Sequence, residues 1–210
     1  MPSDDTRNAI ISSAEKLFAK KGIDAASLRE INSLAGQKNS TSLQYHFEDR
    51  AGLLKAVLAK HYMAVEYQRH ALLDEIESTH TTSIRTLAAA LVRPLASKLE
   101  DDSGGREYLQ IMAEILNRPD LLFRDLISSR KNDSTDRWRS MVGKLLPDVA
   151  VSKLHRRFVA IRIAHLELSR RAASPKRRDN KLFTSDLIDI VTSILEAPVS
   201  KETEQYLSNR

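Results

Sequence analysis

"SLREINSLAGQKNSTSLQYHF" (residues 27–47) has its apolar residues in two short clusters. Between them runs a series of small and hydrogen-bonding residues: Gly36, Gln37, Lys38, Asn39, Ser40, Thr41 and Ser42. Ser27 and Glu30 stand at the spacing of a capping box. In that arrangement the Ser hydroxyl accepts from the Glu30 N–H and the Glu30 carboxylate reaches back to the Ser27 N–H. A helix therefore starts at Leu28, with Leu28, Ile31, Leu34 and Ala35 expected inward and Gly36 as its stop. Asn39 or Ser40 can cap the next helix, which runs to about His46. Two short helices joined by a Gly-containing turn form the helix-turn-helix outline.

The second of these helices carries the chemistry. With Leu43 as the inward direction and about 100° per residue, Phe47 and Asn39 lie near it, Ser40 and His46 about 60° off, and Thr41 and Tyr45 almost opposite. Lys38, Ser42 and Gln44 fill the flanks. Gln can pair with adenine, Ser and Thr with several base edges, and the Thr methyl with thymine. None of these outward residues is a carboxylate, which phosphate would repel. A polar helix face alone is ordinarily a solvated face; the order of capped helix, Gly turn, short helix and long rod sets this one apart. The candidate DNA contacts are Lys38, Asn39, Ser40, Thr41, Ser42, Gln44, Tyr45 and His46. Ser27, Arg50 and Lys55 are added as phosphate contacts.

Outward from this stretch the chain of 210 residues reads as helix throughout. "TRNAIISSAEKLFAKKG" puts Ile10, Ala14, Leu17 and Phe18 on one face, with Asp4 and Asp5 at its start and Lys20, Lys21 and Gly22 at its end. Asp49 can cap a rod over residues 50–76, roughly 40 Å long at 1.5 Å per residue. Further amphipathic helices follow over 83–99, with Pro94 expected to kink the first, then 106–116, 121–146, 151–173 and 181–197. No segment alternates as a strand does. The fold class is all-α, an N-terminal helix-turn-helix domain over residues 1–48 and a larger helical domain over 49–210. The sequence has no Cys, which excludes disulfides and thiolate metal sites. The longest apolar run, "LAAALV", is far below the roughly 20 residues of a membrane helix, and the polar start lacks a secretory signal. A cytoplasmic protein without membrane attachment is expected. Net charge is +5 overall, yet residues 1–60 hold nine Lys and Arg against seven Asp and Glu, only +2. Charge permits a nucleic-acid partner without pointing to this end.

Residues 6–58 resemble the DNA-binding domain of the TetR family of transcriptional regulators. The matching pieces are "AEKLFAKKG" (14–22), "ASLREI" (26–31), "LAG" (34–36), "YHF" (45–47) and "DRAGLL" (49–54). Asn32 stands where the family usually has Ala, and the span from Gly36 to Phe47 is one residue longer than its commonest spacing. By the resemblance, Ser27 takes the capping position, Arg50 the place of a phosphate-binding Lys, and Tyr45 and His46 backbone contacts. It further implies a homodimer on a palindromic double-stranded operator and a helical domain holding a small-molecule effector, with repression the commoner outcome. The last two long helices, about 152–173 and 182–196, would pair with their mates through Leu154, Phe158, Ile161, Ala164, Leu168, Leu187, Ile190, Val191 and Ile194. Tyr62, Tyr108, Met112, Trp138 and His165 are the candidate pocket residues, each more often plain packing than ligand contact.

Two other classes compete. An enzyme would need a site, and GxSxG, HExxH, GxxxxGK[ST] and GxGxxG are all absent. Glu66, His70 and Asp74 share one helix face, a spacing better explained by ion pairs than by a metal, so no cofactor or metal is expected. A helical protein-interaction adaptor without DNA binding is the remaining alternative, with the basic stretch "RRAASPKRRDNK" (170–181) as its candidate surface.

Overall fold

A computed structural model describes residues 2–37, 41–118 and 133–209. Its helices, numbered in chain order, are α1 (Pro2–Lys21), α2 (Leu28–Leu34), α3 (Thr41–Phe47), α4 (Arg50–Ser78), α5 (Ile84–Ala96), α6 (Gly105–Asn117), α7 (Ser134–Leu145), α8 (Asp148–Ser152), α9 (Arg156–Ala173), α10 (Asn180–Glu196) and α11 (Lys201–Ser208). Among the described residues there is no strand, and no helix is long and apolar enough to cross a membrane. The helix expected from residue 121 falls mostly outside the described residues; α7 is its described part.

The N-terminal unit forms around α1, whose Ile10, Ala14 and Phe18 are fully buried. Ile23, Ile31, Leu43 and Phe47 close over them, and Leu53 and Leu54 of α4 complete the cluster. Asp49 caps α4 by accepting from the Gly52 N–H at 2.8 Å, as its position predicts. At 29 residues, α4 is a rod of about 44 Å that runs from this unit into the larger one. There α5 is central: Leu87, Ala88, Leu91, Val92 and Leu95 are all buried, with α4, α7, α9 and α10 packed around it. α6 lies along α9 on one side and against α1 on the other.

Four details depart from the sequence reading. Leu34 is 53% exposed, whereas Asn32 is 4% exposed. The buried side of α2 centres between Leu28, Ile31, Asn32 and Ala35, which places Leu34 roughly 110° away round the helix. The segment expected as one helix over 151–173 is split: α8 ends at Ser152, and α9 starts after His155, whose φ of 51° is left-handed. Leu154 therefore lies in the break. α5, expected to reach Leu99, ends at Ala96 and tightens into a 3-10 turn over Ser97–Glu100. α11, unanticipated, buries no residue.

Two glycines test this packing differently. Gly36 (φ 71°) has nothing near a hypothetical Cβ, while at Gly104 (φ 103°) a Cβ would overlap the buried Glu15 carboxylate. Gly36→Ala should cost about 1–2 kcal/mol, the left-handed backbone penalty alone. Gly104→Ala should cost about 3 kcal/mol or more, since overlap adds to that penalty. Urea unfolding of the two variants checks the order.

Candidate nucleic-acid interface

The capping box forms as expected: the Glu30 N–H donates to Ser27 Oγ at 3.1 Å and the Ser27 N–H to Glu30 Oε2 at 3.2 Å. Glu30 also accepts from Lys21 Nζ at 2.6 Å, and that bond holds its carboxyl below the usual range. The Ser27 N–H and hydroxyl are thus both engaged by Glu30, the reciprocal pair that the capping-box spacing calls for. α2 ends in a Schellman motif: Gly36 N–H donates to the Ser33 carbonyl and Gln37 N–H to the Asn32 carbonyl, both at 3.0 Å. Lys38, Asn39 and Ser40 lie outside the described residues, while Thr41 and Ser42 open α3.

Leu43 and Phe47 are 2% and 5% exposed and form the buried edge of α3. Arg7 of α1 places its guanidinium 5.4 Å from the Phe47 ring centre, a cation–π contact that holds the end of the helix. Gln44 is exposed, Tyr45 is 83% exposed, and His46 is half-buried with its ring 5.2 Å from Tyr45. A large aromatic side chain standing this far into solvent, on a helix whose opposite edge is core, has a stacking face and a hydroxyl to offer. Lys55, one turn into α4, is exposed as well.

Arg50 is tied to the protein's own backbone. Its Nη1 donates to the carbonyls of Ile23 at 2.6 Å and Ala26 at 2.5 Å, and the residue is half-buried. It ties the first turn of α4 to the loop between α1 and α2, so its structural task is to position the unit. Arg29 is not among the sequence candidates. It is exposed, and with Leu28, Asn32, Ser33, Gln37, Leu43 and Gln44 it lines a cleft of about 680 Å³ between α2 and α3. The sequence shows it only as a cation in the first turn of α2, next to the capping Glu30.

The unit is fastened to the larger domain at two points. Glu15 of α1, nearly fully buried, accepts from His61 Nε2 at 2.6 Å and Lys60 Nζ at 2.7 Å. His61 Nδ1 lies 3.4 Å from Asp101, and Lys98 donates to Asp101 at 2.9 Å. Hydrogen bonds from Ser103 and Lys98 hold the Asp101 carboxyl well below the usual range. At the second point Glu114 of α6 accepts from the Ile23 N–H at 3.0 Å, beside the Arg118–Asp24 ion pair.

The five residues expected to line an effector pocket are placed as follows. Trp138 is fully buried and donates Nε1–H to the Leu87 carbonyl at 2.7 Å. Tyr108 is buried, its ring 5.0 Å from His61, and burial pushes its phenol well up. His165 is buried, with Nδ1 2.8 Å from the Ile161 carbonyl; Tyr62 and Met112 are half-buried. Near them a buried polar cluster joins α4 to α7. Arg69 donates to Ser134 Oγ at 2.9 Å, and Glu66 accepts from the Ser134 N–H at 2.8 Å. A cavity of about 770 Å³ opens elsewhere, between α4, α5 and α10, and none of the five lines it. On the face expected for ion pairs, Arg137 reaches Asp74 at 2.7 Å and Glu77 at 2.5 Å.

A model of bacterial regulatory proteins of the tetR family matches residues 10–57, and one of the tetracyclin repressor-like C-terminal domain matches residues 89–182. The chain belongs to the TetR family. The TetR-type arrangement recurs in solved structures. A HlyIIR mutant protein is 17% identical with a TM-score of 0.59, covering 93% of this chain and 97% of its own. NalD of Pseudomonas aeruginosa, the secondary repressor of the MexAB-OprM multidrug efflux pump, is 19% identical with a TM-score of 0.52, covering 91% and 95%. At these identities the likeness shows the fold. In sequence, the HTH-type transcriptional repressor BepR of Brucella suis biovar 1 (strain 1330) is 25% identical over 114 residues. That match spans 54% of this chain and 50% of BepR, so the chain spans about half the length of the curated relative it matches.

The differing roles of Arg50 and Tyr45 separate in stability. Arg50→Ala should cost about 2 kcal/mol by leaving two carbonyls without their charged donor, while Tyr45→Ala should stay within about 0.5 kcal/mol of the parent. Urea unfolding measures both. The core of the larger domain should also respond to acid. Burial, with the Arg69 charge nearby and against the pull of the Ile161 carbonyl, pushes the His165 imidazole down to about 4. The folded chain keeps it neutral while the unfolded chain takes up a proton below about pH 6.5. Its contribution is therefore complete above that pH and is lost as pH falls toward 4. Between about pH 7 and pH 4.5 the parent should lose about 2 kcal/mol more stability than His165→Gln.

Proposed function

We propose that this TetR-family chain is a sequence-specific DNA-binding repressor, acting in the cytoplasm as a homodimer on a palindromic operator and released by a small-molecule effector. Residues 1–48 serve as the reading head and residues 49–210 as the regulatory and dimerisation domain. The observation that carries this is the division of α3, with Leu43 and Phe47 in the core and Gln44 and Tyr45 in solvent. In a major groove Gln44 would meet base edges and Tyr45 the sugar–phosphate backbone, with Arg29 and Lys55 on flanking phosphates. NalD and BepR carry the word repressor in their names, which supports the direction of control.

The dimer rests on apolar residues left in solvent. Phe158, Val159 and Leu166 share one side of α9, and Leu182 and Ile190 share one side of α10. Ile161, Ala164, Leu168, Leu187 and Val191, expected at the dimer face, are instead buried in the chain's own core. Two-fold pairing of the exposed set would bring two α3 helices onto successive turns of DNA, roughly 34–36 Å apart. An effector that favours another spacing weakens binding by a coupling of about 1–3 kcal/mol. Its route to the reading head is α6, which touches that head through Glu114 and through the Gly104 corner against Glu15.

Selection of duplexes from a random pool, followed by gel shifts, tests the reading. The selected sites should be palindromes. Gln44→Ala and Tyr45→Ala should each weaken binding about tenfold or more, and affinity should fall steeply with salt. Phe158→Asp combined with Ile190→Asp should yield a folded monomer without tight binding. A parent chain that enriches no sequence, or variants at residues 44 and 45 that bind as the parent does, would overturn it.

A further inference from the structure

The cavity of about 770 Å³ between α4, α5 and α10 falls within the roughly 300–1,000 Å³ of small-molecule sites. Its long wall is apolar: Leu72 and Ile76 of α4, Ala89 and Ala90 of α5, and Ile188 of α10. Its two ends differ. At one end Arg85 is neutralised by an ion pair with Asp189. At the other, where the last turn of α5 meets the start of α10, Arg93, Arg178 and Lys181 line the cavity, and none pairs with a carboxylate among the described residues. The acids that line it are Glu75 and Glu100, and Glu100 is engaged by the Asn180 amide at 2.6 Å. With Arg85 paired to Asp189, three cations remain against two carboxylates, and all three cations lie at one end of an apolar trough.

Three cations that share this end with one carboxylate, Glu100, leave it net positive, and an anion placed among them is favoured. The small residues beneath them leave room for a body that water would otherwise fill. We propose that this trough binds an organic anion, a carboxylate or sulfonate on an apolar body, with its head among Arg93, Arg178 and Lys181 and its body along Ala89, Ala90 and Ile188. The site stands apart from the Tyr62, Trp138 and His165 core and lies on the side of α10 away from Leu182 and Ile190, so it stays open in the dimer proposed above.

The probe is 8-anilinonaphthalene-1-sulfonate, whose fluorescence rises in apolar surroundings, added to the full chain. Saturable enhancement at one probe per chain is expected, displaced by decanoate and not by decanol. The double variant Arg93→Ala, Lys181→Ala removes charge, and Ser185→Trp fills the trough from its wall. All three positions are exposed, so folding is preserved, and circular dichroism confirms it. Each variant should weaken probe binding by about tenfold or more, the scale of losing a charge-assisted contact or the space itself. Absence of saturable binding, variants that bind the probe as the parent does, or displacement by decanol as effective as by decanoate would overturn the proposal.

Discussion

A helix of seven residues is too short to persist in water without tertiary packing. The burial of Leu43 and Phe47 supplies that packing, worth about 3–6 kcal/mol for two large side chains removed from solvent. The same two contacts fix the rotation of α3 about its axis. Once they face the core shared with α1 and α2, Gln44 and Tyr45 have nowhere to point except outward. Stability and recognition are therefore set by one constraint, and a polar residue at Leu43 would lose both.

That head is held against the larger domain by buried charge as well as by apolar contact. Glu15 is shielded from water but meets both Lys60 and His61 within hydrogen-bond distance. A buried carboxylate without such partners would be strongly destabilising. Arg50 and Glu114 meanwhile take up the carbonyls and the N–H of the loop between α1 and α2. Because these partners come from α4 and α6, a shift of either helix moves the loop that supports α2. This is the physical basis for the proposed coupling between the larger helical domain and the N-terminal unit.

Much of this was legible in the chain. Ser27 with Glu30, and Asp49 with the run that follows it, announce helix starts because capping depends on a few local atoms. The rotation of α3 could be read because only Leu43 and Phe47 were large and apolar. What stayed hidden depends on distant partners. Periodicity shows that Ile161, Leu168 and Val191 are buried but not against what, and the chain's own α5 and α6 claim them before a second subunit can. Leu34 and Asn32 exchanged places because a short helix has too few turns to fix its buried side. The tie from Arg50 to two carbonyls 24 and 27 residues away stayed hidden because no sequence pattern marks it.

The central claim is that the outward side of α3 enters duplex DNA. Site-specific photo-crosslinking tests it most directly, with p-benzoylphenylalanine in place of Tyr45 or, as control, of Tyr67, which is 78% exposed on α4. On irradiation with a selected operator, the account predicts a covalent protein–DNA adduct from position 45 within the palindrome and none from position 67. No adduct from position 45, or equal adducts from both, would contradict it.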